Sequence, residues 1–178
     1  MQGVVIVLKT ESAEAFARIQ DDAVAELGGR LLPAGHIPHM TLHFAEQYDL
    51  EKLHRIAQGL ARSEPPFAIH TEGVAFFSGP SPLAYWPVVR TARLSLLQRV
   101  LAQEAHPAVI SGLSEFGDPQ RWIPHVTLGT APDFDAAGRL AAFLLARSPG
   151  LEVVVDELVI AEDTPEGTRI LGRFKLEG

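Results

Sequence analysis

Ile37-Pro38-His39-Met40-Thr41-Leu42 returns as Ile123-Pro124-His125-Val126-Thr127-Leu128, with five of six positions identical. Each copy sets a His-x-Thr inside a short apolar run. A β-strand places residues i and i+2 on one face and their neighbours on the other. His39 and Thr41 are therefore expected to point one way, with Met40 and Leu42 turned toward a core. His125 and Thr127 stand in the same relation to Val126 and Leu128. Two such strands together offer two imidazoles and two hydroxyls, which can serve as an acid, a base and two hydrogen-bond donors.

The repetition extends outward from the motifs. Val4 to Thr10 reads as a strand ending in a basic residue and threonine, and Tyr85 to Thr91 reads the same way. A helical pattern follows each. In the first, Phe16, Ala23 and Leu27 form an apolar stripe that Gly28-Gly29 stops. In the second, Leu94, Leu97 and Leu101 form the stripe and His106-Pro107 closes it. After each motif comes another helix. Asp49 is placed to cap one that buries Leu50, Leu53, Ala57 and Leu60. Asp133 is placed to cap one that buries Phe134, Ala137, Ala141 and Leu144. Both end in Ala-Arg-Ser, at residues 61–63 and 146–148, and lead through proline (Pro65, Pro149) into extended segments, Phe67 to Ser78 and Leu151 to Asp163. Gly79-Pro80-Ser81-Pro82 is the natural boundary between halves. Arg169 to Leu176 reads as a further strand. The expectation is a single α+β domain over 1–178. It would consist of two pseudo-twofold-related lobes, about 1–78 and 83–178, of mainly antiparallel sheet with outer helices. His39 and His125 would face each other across a central cleft.

Composition narrows the function. The chain of 178 residues has no cysteine, which excludes disulfides, thiolate catalysis and Cys-ligated zinc and fits a reducing, cytoplasmic setting. Val4 to Leu8 is apolar but short and lacks a basic leader, so it reads as a buried strand and not as a signal peptide. No apolar run approaches the roughly 18 residues of a membrane span. The net charge is −7, with no basic stripe for a long nucleic-acid tract. No Walker or dinucleotide glycine pattern is present, and no cofactor is expected.

Other residues invite weaker readings. His36, His39 and His43 cluster within eight residues, but their spacing across a loop and a strand does not make a facial metal set, and no metal is expected. His43 shares the face of His39 if the strand stays regular, which would let it support the site. Tyr85, Trp86, Trp122 and Phe44 offer aromatic faces for a base, and Trp122 is favoured because it lies three residues before His125. Aromatic side chains are more often core than ligand contacts. His54 and His70 read as polar surface or strand positions, and His106 as a helix-end residue.

Two Pro-His-x-Thr-Leu motifs, placed alike in two repeated halves of a cysteine-free chain, resemble the two-histidine phosphoesterases. The likeness is in particular to their bacterial 2'-5' RNA ligase and cyclic phosphodiesterase branch, and it spans nearly the whole chain. The resemblance implies a two-lobed α+β fold and metal-independent chemistry on phosphodiesters that involve a ribose 2'-oxygen. The substrates implied are small RNA ends or cyclic nucleotides, with 2',3'-cyclic phosphates opened to 2'-phosphates and reversible 2'-5' RNA ligation as a further activity. His39 and His125 would be the proton-transfer pair, with His125 the base for hydrolysis and His39 the acid. Thr41 and Thr127 would hold the phosphate. Family members often carry a basic residue just after the second motif, in a Leu-Ala-Arg-like ending. Here Leu128 is followed by Gly129-Thr130, and Arg121 in the preceding loop is the candidate substitute. The alternative reading is a non-catalytic module of the same fold that binds RNA ends or nucleotides. Two proton-transfer groups are more than binding alone requires. Oligomeric state is not readable from the sequence.

Overall fold

The structure, a computed structural model, describes residues 1–148 and 150–178. The first half of the chain forms β1 (Gln2–Val7), α1 (Thr10–Leu27), β2 (His39–Tyr48), α2 (Leu50–Ser63), β3 (Phe67–His70) and β4 (Ala75–Phe77). The second forms β5 (Leu83–Pro87), α3 (Ala92–Ala105), β6 (Val109–Leu113), β7 (His125–Thr130), α4 (Phe134–Leu145), β8 (Glu152–Val155), β9 (Glu157–Thr164) and β10 (Gly167–Lys175). The protein is α+β, as expected. An eight-stranded sheet runs β10-β9-β1-β2-β7-β5-β4, with β6 beside β2, and every pairing between these strands is antiparallel. A small second sheet joins β3 to β8, one strand from each half.

The repeat in sequence is a repeat in register. Val5, Ile6 and Val7 of β1 pair with Thr41, Met40 and His39, while Tyr85, Trp86 and Pro87 of β5 pair with Thr127, Val126 and His125. Each motif strand then skips one residue: Val4 pairs with His43, bypassing Leu42, and Ala84 pairs with Gly129, bypassing Leu128. Both are β-bulges, which leave the extra residue out of the ladder and turn the following side chain to the other face. A carbonyl freed in this way inside a protein needs another donor. The Gln20 side chain of α1 donates to the Leu128 carbonyl at 2.9 Å, and the Gln98 side chain of α3 donates to the Leu42 carbonyl at 3.2 Å. Each helix thus satisfies the bulge of the opposite half.

The helices form for the reasons the sequence suggests. Asp49 accepts from the Lys52 N–H at 3.1 Å and Asp133 from the Ala136 N–H at 2.7 Å, both as N-caps. Gly28 ends α1 at φ 80°, a left-handed turn that disfavours a β-carbon. Ile6, Met40, Leu42, Trp86, Leu94, Leu97, Leu101 and Leu128 lie fully buried in one core shared by both halves. Val5, Val7, Val159 and Ala161 form a separate small cluster, with Ile37 and Ile170 packed against it.

Several local expectations differ. Leu27 is 41% exposed and Phe134 is 70% exposed, because each sits at a helix end past the reach of the core. Thr10 begins α1 rather than ending β1. The two long extended segments each break in two, giving β3 with β4 and β8 with β9, and β6 is an addition peculiar to the second half. Pro149 lies outside the described residues.

Candidate active site

Met40 opposite Val126 is the register between β2 and β7. In an antiparallel pair this sets His39 opposite Thr127 and Thr41 opposite His125, all four on the face away from the core. Met40 and Val126 are fully buried, whereas Thr41, His125 and Thr127 are half-buried. A cleft of about 150 Å³ opens over this face, lined by His39, Thr41, His125, Phe44 and Asp163 together with Gln2, Gly3, Val5, Ala161 and Met1.

The two histidines are anchored alike. His39 Nδ1 lies 2.7 Å from the Ile37 carbonyl, and His125 Nδ1 lies 2.7 Å from the Ile123 carbonyl. A carbonyl only accepts, so Nδ1 carries the hydrogen in both rings. When either ring is neutral, its Nε2 is a free base. When it is charged, Nε2 is the acid. The repeated Ile-Pro-His thus fixes tautomer and ring orientation through its first residue.

The surroundings of the two rings differ. The Phe77 ring stands edge-on to His125 with centroids 4.9 Å apart, and the Tyr85 ring lies at 5.2 Å. Phe77 and Tyr85 stack on each other at 4.2 Å. Burial among these rings pushes the His125 pKa below its ordinary 6.5, opposed by the Ile123 carbonyl and aided by the charge of His39. His39 faces a more polar setting. The His36 ring lies 5.3 Å away, and burial lowers the His36 pKa to about 4, which keeps it neutral at ordinary pH. The Asp163 carboxylate reaches within 3.9 Å of His39 Nε2. Phe77 and Asp163 are site residues that sequence reasoning missed, because both lie on strands far from either motif in the chain.

The remaining sequence candidates lie elsewhere. His43 is not on the His39 face: the bulge at Leu42 turns it inward, and Phe44 takes the cleft position. His43 is 3% exposed with Nδ1 2.6 Å from the Tyr48 hydroxyl. Trp122 does not line the cleft. It is 4% exposed, and its indole N–H donates to the Thr41 carbonyl at 2.9 Å, so it ties the loop before β7 to the opposite motif. Trp86 is core, while Tyr85 walls His125. Arg121 pairs with Glu115 and lies over Phe116, away from the cleft lining. Position 129 has no room for a larger residue, since a β-carbon there would come within 2.5 Å of Leu31 Cβ. Among the described residues, no group of three His, Asp or Glu side chains is arranged to hold a metal, and no helix is long and apolar enough to cross a membrane.

The chain is similar to known proteins over most of its length. An RNA 2',3'-cyclic phosphodiesterase of Thermotoga maritima is 29% identical over 151 residues, covering 79% of this chain and 76% of that protein. The crystal structure of TT0787 of Thermus thermophilus superimposes with a TM-score of 0.68 at 23% identity, covering 100% of this chain and 99% of the other. Escherichia coli LigT, crystallised with NADP+, superimposes with a TM-score of 0.61 at 19% identity, covering 99% and 97%. The last two likenesses are of fold. The family model of the 2'-5' RNA ligase superfamily matches residues 8–165 and so takes in both His-x-Thr strands and the bulges that follow them. This chain belongs to the 2'-5' RNA ligase superfamily, the two-histidine phosphoesterases.

Proposed function

We propose that the protein is a metal-independent phosphodiesterase that opens 2',3'-cyclic phosphate ends of RNA or nucleotides to 2'-phosphates. The observation that carries this reading is the pair of Nδ1-anchored histidines whose Nε2 atoms are left to one cleft. In-line hydrolysis needs a base on one side of phosphorus and an acid on the other. His125, with its lowered pKa, takes a proton from water through Nε2. The water oxygen bonds to phosphorus as the bond to the ribose 3'-oxygen breaks. His39 Nε2–H gives its proton to that leaving oxygen. The Thr41 and Thr127 hydroxyls donate to the non-bridging oxygens, where charge grows in the transition state. The same sequence, with a ribose 5'-hydroxyl in place of water, is 2'-5' ligation, and its reverse cleaves that linkage back to the cyclic phosphate.

The test is incubation with 2',3'-cyclic mononucleotides and short cyclic-ended RNAs in the presence of EDTA, with product regiochemistry read by NMR. A 2'-phosphate product is expected. Loss of turnover on chelation, restored by one divalent ion, would overturn the metal-independent mechanism. Binding without turnover would leave the protein a nucleotide-binding module.

A further inference from the structure

We propose that Asp163 is a positioning residue that holds His39 in its proton-donating form, and so gives the two-histidine site its direction. The inference rests on the phosphodiesterase reading above but concerns a residue outside both motifs.

A closed circuit of contacts supports it. The Ile37 carbonyl accepts from His39 Nδ1 at 2.7 Å. The N–H of the same Ile37 donates to the Thr168 hydroxyl at 3.3 Å. That hydroxyl donates to Asp163 Oδ1 at 2.9 Å, and Asp163 Oδ2 lies 3.9 Å from His39 Nε2. One residue therefore holds the imidazole at one nitrogen and, through Thr168, aims a carboxylate at the other. The hairpin that carries Asp163 and Thr168 is fixed against the loop before His39. The Thr168 N–H donates to the Gly35 carbonyl at 3.0 Å, and a β-carbon on Gly35 would come within 2.5 Å of the Glu166 carbonyl.

The second half has no such circuit. Gly3 pairs with Ala161 as Leu83 pairs with Phe77, so the position matching Asp163 is Gly79. His125 faces Phe77 and Tyr85 where His39 faces a carboxylate.

The other groups around His39 do not substitute for Asp163. His36 and His125 are imidazoles, and β1 presents Val5 and Val7. Glu162 pairs with Arg169, and the Met1 ammonium donates to the Asp163 backbone carbonyl. Asp163 is the one acidic side chain lining the cleft among the described residues. A carboxylate beside an anion-binding cleft repels the substrate phosphate. The side-chain contact it makes in the cleft is with His39 Nε2, at 3.9 Å.

The test is Asp163→Asn, which keeps an acceptor for Thr168 and removes the charge. The acid must be protonated to act, so loss of the carboxylate lets the proton leave at lower pH. The alkaline limb of the kcat/KM profile is expected to move down, and only modestly because Asp163 is 54% exposed. The acidic limb should stay in place, KM should be unchanged or lower, and kcat at pH 8 should fall severalfold. Thr168→Val should move the same limb the same way. A uniform loss of kcat at every pH, with both limbs unmoved, would overturn the proposal. Histidine Cε1–H signals followed by NMR in the free protein give a readout that needs no turnover. The His39 signal, assigned from His39→Gln, should change over a lower pH range in Asp163→Asn. An unchanged His39 curve overturns this inference even in an active enzyme, whereas a shifted one in an inactive protein would count against the phosphodiesterase reading alone.

Discussion

Met40 stands opposite Val126, and this register converts two copies of a short phrase into one site. Both side chains enter the core, so the residues flanking each are sent to the opposite face. The antiparallel sense then crosses the pairs: His39 neighbours Thr127, and Thr41 neighbours His125. On the proposed reading, a phosphate held between them would meet a hydroxyl from each strand and an imidazole on either side.

If acid and base act on one transition state, their losses do not add. His39→Ala and His125→Ala should each lower kcat/KM on a 2',3'-cyclic nucleotide by at least ~100-fold, the lower end for general acid–base catalysis. The double variant should be little worse than either single one. Thermal melts would check that the fold is kept. A single variant retaining more than about a tenth of the activity would contradict the paired mechanism.

The Phe77 edge helps keep water from His125, and burial is the leading cause of its lowered pKa. The base must be neutral, so activity should fall on the acid side below pH 6.5, the ordinary value. Phe77→Ala admits water, favours the charged ring and should move that acidic limb up toward the ordinary value. An acidic limb that stays put in kcat/KM measurements would show that Phe77 does not set the base.

The α+β class, the matched register of the two motif strands and the common face of their His and Thr residues were legible because sequence repetition, strand alternation and helix caps are local signals. The bulges were not. A bulge depends on which strand lies alongside, and nothing within His39–Phe44 marks Leu42 as the extra residue. That single insertion sent His43 inward and brought Phe44 to the cleft. Asp163 and Phe77 escaped for a similar reason, since strand order across the sheet, and not spacing in the chain, brings them to the histidines. Trp122 drew notice for its nearness to His125, yet its indole serves the opposite strand.

Gln20 makes a sharper test of that hidden layer. Its amide N–H donates to the Leu128 carbonyl, and its oxygen accepts from the Leu31 and Leu32 N–H groups at 3.2 Å each. Gln20→Leu is close in size but leaves three backbone groups without this partner. Each buried orphan costs about 1–3 kcal/mol, and partial rehydration of the 31–32 turn should hold the total loss near ~3 kcal/mol. Urea unfolding would measure it. A loss below ~1 kcal/mol would mean that the bulge does not depend on the helix.

His43 should make stability depend on pH. Burial lowers its pKa from 6.5 to about 4, with His106 adding to the effect. The unfolded chain then binds more protons between these values, so the contribution is whole above pH 6.5 and is lost as pH falls toward 4. At 1.36 kcal/mol per pKa unit the loss is on the order of 3 kcal/mol. His43→Asn should be less stable at pH 7 yet show a flatter decline between pH 7 and pH 5 in urea melts. His36, also lowered to about 4, would supply the slope that remains. Parallel curves for the parent and His43→Asn would show that His43 is not the buried neutral group.

Substrate grip should be short-ranged. The chain carries a net charge of −7, no Lys or Arg side chain lines the cleft among the described residues, and Arg121 is committed to Glu115. Each phosphate neutralised on a single strand contributes about −0.7 to the slope of log affinity against log salt. With hydroxyls, a charged imidazole and the reacting phosphate as the main contacts, the slope should correspond to roughly one to three phosphates. Cyclic mononucleotides and short cyclic-ended oligomers should then compete well with long RNA. His39→Ala, bound to cyclic-ended RNAs of increasing length across a salt series, measures this without turnover. Affinity that climbs steadily with length, on a steep slope, would place a basic track outside this cleft. The exposed Arg99, in the groove with Arg90 and His106, would be the first residue to test.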